Sequence, residues 1–179
     1  MGWIALKSIN NFLKNKIIIY FAFLLSFSWC QNSWFKGNLK GIDDLSFELK
    51  VKGIEDDVWE EKIYTYVKLK LMERDIQLLE NLVPKMVLDL NIIDSRVEQV
   101  SSFLVQLSIY GYSISESDYY KSFSDSKISK SVMTSKIFSY EILGQTSSIK
   151  LYKDIEKNIN NILSLFLNQW YNDNPKKQF

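Results

Sequence analysis

The stretch LSFELKVKGIEDDVWEEKIYTYVKLKLMER, residues 45–74, changes its period part-way along, and that change decides the fold. Leu45, Phe47, Leu49 and Val51 alternate with Ser46, Glu48 and Lys50, a period of two that predicts a strand with one buried face. Gly53 ends the alternation. Asp57 and Glu60 then read as an N-cap and N3 pair. Trp59, Ile63, Tyr66, Val67 and Leu71 recur at helical spacing, so a helix is predicted that closes near Arg74. Acidic residues crowd its first turn, which suits the positive end of a helix dipole.

Towards the C-terminus the period returns to two. After Pro84, Met86, Leu88, Leu90 and Ile92 point one way, with Asp89 and Asn91 on the other face. Phe103, Val105, Leu107 and Ile109 predict a third strand, and Lys136 to Ile142 a fourth. Between these two, serine occurs nine times from residue 113 to residue 135, a composition that predicts a mobile loop. Tyr110, Tyr112, Tyr119 and Tyr120 cluster at its start. Ser147 or Ser148 is the expected cap of a last helix, whose apolar stripe runs Ile155, Ile159, Ile162, Phe166, Trp170 and stops by Pro175. Glu156 falls on the opposite face, where its removal should cost less than about 0.5 kcal/mol. The order is β-α-β-β-β-α. The economical packing is an α+β, two-layer domain: a four-stranded sheet with both helices on one face. If the first two strands run parallel, their crossover should be right-handed.

Towards the N-terminus the character changes. Residues 1–16 are polar and basic, and 17–30, IIIYFAFLLSFSWC, are apolar, the layout of a secretory leader. The apolar run falls short of the roughly 20 residues of a spanning helix. Three fates are open: cleavage after Ser28 or after Cys30, retention as an anchor, or acylation at Cys30. The expected division is a leader or lipoprotein leader over 1–30, one domain over 31–175 with an irregular lead-in to Asp44, and a basic tail over 176–179. Beyond residue 30 there are 19 basic and 21 acidic residues, a net of −2. A phosphate-tracking surface needs a basic excess, so nucleic acid is not an expected partner.

The catalytic inventory is sparse. There is no histidine, and Cys30 is the only cysteine. Cys/His zinc sites, thiol catalysis, disulfides and histidine-based triads are thereby excluded from the domain beyond the leader. Neither a P-loop nor a G-x-G-x-x-G segment occurs, and no cofactor is expected. The carboxylate pairs Asp43–Asp44 and Asp56–Asp57 adjoin element ends, where acids cap and solubilise. Asp89 and Asn91, which share a face, and the loop tyrosines Tyr112, Tyr119 and Tyr120 are the candidate partner contacts.

The segments VKLKLMERDI (67–76), PKMVLDLNI (84–92), FLVQLSIYG (103–111) and NQWYNDNP (168–175) together resemble a group of small uncharacterised exported bacterial proteins. The resemblance covers roughly residues 37–175. It implies an amphipathic helix ending in a glycine-bearing turn, where this chain has Asp75, and a closing helix that ends in Asn-Pro. It implies no catalytic residue. The architecture is also similar to that of the outer-membrane lipoprotein that plugs the lipopolysaccharide export barrel, an analogy of fold alone. The expected function is a non-enzymatic binding or assembly module of the periplasm or outer envelope, acting through its sheet edge or the serine-rich loop. Its partner would be an envelope protein or component, with membrane contact only through the leader or a lipid. The alternatives are a carboxylate-dependent envelope enzyme and a lipid-anchored structural lipoprotein.

Overall fold

Five strands and two helices follow one another in the computed structural model, which describes residues 36–80, 82–95, 99–114 and 132–177. They are β1 (Asp44–Lys52), α1 (Asp57–Met72), β2 (Gln77–Leu78), β3 (Lys85–Ser95), β4 (Val100–Ser113), β5 (Met133–Ser147) and α2 (Leu151–Asp173). The fold is α+β. The compact unit holding all of them begins at Gly37. The leader with Cys30, and the serine-rich stretch with Tyr119 and Tyr120, lie outside the described residues.

The sheet has five strands rather than the expected four, in the order β2-β1-β3-β4-β5. The addition, β2, is two residues long and pairs with β1 only at Asp44 and Leu45. Such a short piece carries no period and cannot be read from sequence. β1 runs parallel to both β2 and β3, pairings that need a crossover such as α1, while β3–β4 and β4–β5 are antiparallel. The expected strands were also short at their ends: β4 continues to Ser113 and β5 begins at Met133. Tyr110 and Tyr112 therefore belong to β4 and not to a loop.

Register builds the core. Phe47, Met86, Ile109 and Phe138 form one row across β1, β3, β4 and β5; Leu49, Leu88, Leu107 and Tyr140 form the next. The ring of Phe47 meets Tyr64 of α1 at 5.2 Å, and Phe138 meets Phe166 of α2 at 5.7 Å. Both helices thus cover the same face. α2 presents Ile155, Ile159, Ile162, Phe166 and Trp170, all fully buried, as the apolar stripe requires. Gly144 lies directly under the Phe103 ring, where an added Cβ would stand 2.3 Å from the ring.

The helix ends depart from the sequence reading in instructive ways. Asp56, not Asp57, caps α1: its Oδ1 accepts from the Trp59 N–H at 2.9 Å. At the other end, Asp75 adopts the left-handed conformation, φ 58°, that a glycine would take more easily. Ile76 N–H reaches the Leu71 carbonyl at 3.2 Å and Asp75 N–H that of Met72 at 3.1 Å, while Leu71 and Ile76 are both fully buried. This pattern closes the helix despite the missing glycine. Neither Ser147 nor Ser148 caps α2, which starts after a 3-10 turn, Ser148–Lys150, without a side-chain cap. Ser148 donates instead to Asp94 Oδ1 at 2.7 Å.

The lead-in segment is irregular but fixed. The Asp173 carboxylate accepts from the N–H groups of Gly37 (2.8 Å) and Leu39 (3.1 Å), and Asn174 Oδ1 from that of Gly41 (2.7 Å). The Trp170 indole N–H donates to the Ile42 carbonyl at 2.7 Å. Leu39 is fully buried as a result. The Asn-Asp-Asn-Pro end of α2 thus ties down the chain that enters β1.

Candidate functional site

The face of the sheet away from the helices carries the residues first singled out as partner contacts. Asp89 and Asn91 are half-buried and joined to each other, Asn91 Nδ2 donating to Asp89 Oδ1 at 2.8 Å. Their neighbours compensate them: Lys50 and Gln106 flank Asp89 in register, and Gln106 Nε2 donates to Glu141 at 3.2 Å. Tyr112 shares the face, 66% exposed, but two rows separate it from Asp89. The structure places the three on one surface without drawing Tyr112 to the pair. An apolar group, Ile93, Leu104 and Leu143, borders Asn91 on the same face, with Ile93 74% and Leu143 79% exposed. Sequence reading missed it. The consecutive pairs Ile92–Ile93 and Ile142–Leu143, in which both faces of a strand become apolar, were the available signal.

A second cluster joins the far ends of β3 and β4 to α2. Asp94 accepts from the hydroxyls of Ser101 and Ser148, and Thr146 donates to Asp154 in the first turn of α2. Ser101 is fully buried, so its hydroxyl needs such a partner. A cleft of about 630 Å³ opens beside Asp94, Glu55 and Tyr152. Among the described residues no group of three or more Asp, Glu, His or Cys side chains is placed to hold a metal ion. Of the acidic pairs, Asp56 caps α1 and takes the Tyr152 hydroxyl at 3.2 Å, while the main-chain carbonyl of Asp43 accepts from the Gln77 N–H at 3.1 Å.

The third candidate is the outer edge of β1. β2 borders β1 only at its start, and Ser46 Oγ anchors the return of the chain by donating to the Leu82 carbonyl at 2.6 Å. From Phe47 to Val51 no described strand lies alongside. α1 overhangs this stretch. A cleft of about 470 Å³ is lined by Phe47, Tyr64, Lys68, Leu79 and Glu80, and one of about 420 Å³ by Leu49, Asp57, Glu60, Glu61 and again Tyr64. Phe47, Leu49 and Val51 are only half-buried, whereas their row-mates Met86, Leu88 and Leu90 in β3 are fully buried. Glu48, on the other face of the edge, is ion-paired to Lys85 and to Lys50. The hydrogen bond from Lys85 holds its carboxyl below the ordinary glutamate range.

The opposite edge, β5, is differently built. Its register breaks between Ile109 and Tyr110 of β4, a bulge on β5 at Ile137, and Asn38 Nδ2 donates to the Ile137 carbonyl at 2.9 Å. Both devices blunt an edge. No helix among the described residues is long and apolar enough to cross a membrane. Comparison with protein-family profiles, with curated proteins and with solved structures finds no match to this chain.

Proposed function

We propose that this chain is an exported envelope protein that works as a non-enzymatic binding or assembly module, engaging its partner through the edge of its sheet. Export rests on the basic and apolar stretches of residues 1–30, and the family resemblance points the same way. The mode of binding rests on one observation: among the described residues, no strand lies along the outer side of β1 from Phe47 to Val51, beside two clefts under α1. Edge strands with open backbone groups are templates for pairing, and natural sheets cover or blunt those they do not use. The Ile137 bulge and Asn38 do so on β5; among the described residues neither a bulge nor a side-chain hydrogen bond to the main chain is found on β1 from Phe47 to Val51.

The carboxylate-dependent enzyme reading has two acid-lined clefts to draw on, that of Asp57, Glu60 and Glu61, and that of Glu55 and Asp94. In the latter, the Asp94 carboxylate already holds Ser101 and Ser148, an arrangement that explains how β3, β4 and α2 are joined without invoking chemistry. The binding reading is tested in native cells. Fractionation with intact-mass measurement should find the chain in the envelope, with its leader removed or Cys30 acylated. A photo-crosslinker in place of Leu49 should capture a partner there, while one in place of Gln106 on the open face should not. A full-length chain in the cytoplasm, or capture from Gln106 alone, would sink the proposal.

A further inference from the structure

We infer that the lane beside β1 takes an extended peptide segment of a partner protein by strand addition, and that this segment carries a lysine or arginine opposite the first turns of α1. The inference deepens the edge-binding reading above and rests on it.

The backbone orientation follows from two hydrogen bonds. The Leu45 carbonyl accepts from Leu79 N–H at 3.0 Å, on the β2 side, and Ser46 N–H donates to the Pro84 carbonyl at 2.9 Å, on the β3 side. Main-chain groups alternate sides along a strand. The N–H and C=O groups of Phe47, Leu49 and Val51 therefore point outward, in line with those of Leu45. They continue a ladder that β2 begins and leaves after Leu79. An added strand of about five residues would satisfy them, at the usual strand separation of about 4.8 Å.

Side chains match the backbone. Phe47 and Leu49 end rows of apolar and aromatic side chains at this margin, so a strand alongside would shield their exposed flanks. The two clefts lie on either side of Tyr64, which stands against Phe47. They offer separate places for side chains of an added strand that point towards α1, two residues apart.

Charge selects among such peptides. Asp57, Glu60 and Glu61 line the cleft beside Leu49, and none of them enters an ion pair among the described residues. The cleft beside Phe47 is electrically mixed, lined by Lys68 and Lys85 as well as Glu48 and Glu80. A cation is therefore favoured at the level of Leu49, and an apolar or neutral residue at the level of Phe47. Rim charges of this kind set specificity and association rate more than affinity.

The experiment pans a displayed random-peptide library on the folded full chain and measures the selected peptides, as synthetic fluorescent probes, by anisotropy. Selected sequences should alternate β-branched or apolar residues with others and place a Lys or Arg at one fixed position. N-methylation of alternate peptide amides should weaken binding about tenfold or more, since each lost hydrogen bond of about 1.4 kcal/mol is a factor of ten. Leu49→Pro should do the same, because an edge strand accepts proline where its N–H points outward. Glu60→Lys combined with Glu61→Lys should turn the preference towards acidic peptides. Peptides that ignore Leu49→Pro but are lost when proline enters outward-facing positions of β5 would exclude this lane and leave edge binding standing. Peptides sensitive to neither edge, or no selected peptide at all, would overturn both.

Discussion

The two flanks of the sheet are covered by helices of different kinds. α2 lies over β4 and β5 and buries nine residues, from Leu151 to Asp173, while α1 lies over β1 and β2 and buries four. Beneath α2 the sheet residues Phe103, Val105, Leu107 and Ile109 are almost wholly sealed; at the α1 margin Phe47, Leu49 and Val51 stay half open. Both margins of the sheet stay half open, Tyr140 and Ile142 of β5 like Phe47 and Leu49 of β1, so the flanks differ in how much each helix buries. A binding edge placed under the weaker helix can accept a partner without disturbing the packing that holds the domain together.

The largest expected effect tests that division. Phe166→Ala should destabilise by about 3–5 kcal/mol, a large share of the roughly 5–15 kcal/mol of a small domain. Phe47→Ala, half exposed at the other flank, should cost about 1–2 kcal/mol. Chemical denaturation compares them, and equal losses would erase the contrast. Next in size is the seam between the helices. The Glu156 carboxylate, placed by sequence reading on a solvated face, accepts from the Trp59 indole at 3.1 Å and from Lys62 at 2.6 Å. Lys62 is exposed and adds little. The indole bond carries the effect, so Glu156→Ala should cost about 1 kcal/mol, more than the expectation of a solvated residue, and Glu156→Gln should recover most of it. Indistinguishable stabilities for wild type and Glu156→Ala would return this residue to the surface.

The smallest effect concerns Glu48 at the open edge. Its folded carboxyl is held below the ordinary range, first by the Lys85 hydrogen bond. The stabilisation linked to it is therefore present above the unfolded glutamate value and is lost as pH falls through the lower folded value. Because the pair is exposed, solvent screening leaves that contribution small. The titration itself is the sharper readout: by carboxyl NMR, Lys85→Met should move the Glu48 midpoint up. An unmoved midpoint would mean that Lys85 does not fix the carboxylate, and that the edge is less ordered than β3.

Much of the fold was legible because period is a local property. The alternations in Phe103–Ile109 and the stripe Ile155–Trp170 lie where sequence reading put them. Position within the sheet is not local. LSFELKV in β1 and MVLDLNI in β3 read alike, yet one is an edge and the other central, and only pairing distinguishes them. The candidate site was therefore legible as an edge but not as this edge. A trace existed in the charges Glu48, Lys50 and Lys52 on the polar side of β1, a common feature of edges. The helix-end chemistry shifted by single residues, as Asp56 and Asp75 show, because a cap depends on local dihedral angles that composition does not carry.

The bond between Asp173 and the lead-in turn has a consequence for how the molecule breathes. The amides of Gly37 and Leu39 are held by a carboxylate 134 or more residues away in sequence, not by their chain neighbours in β1. Solvent deuterium reaches them when these bonds to Asp173 open, either by release of the lead-in turn or by lifting of the last turn of α2. The two ends of the folded unit are thus joined through one carboxylate, and exchange at Gly37 and Leu39 reports on residue 173.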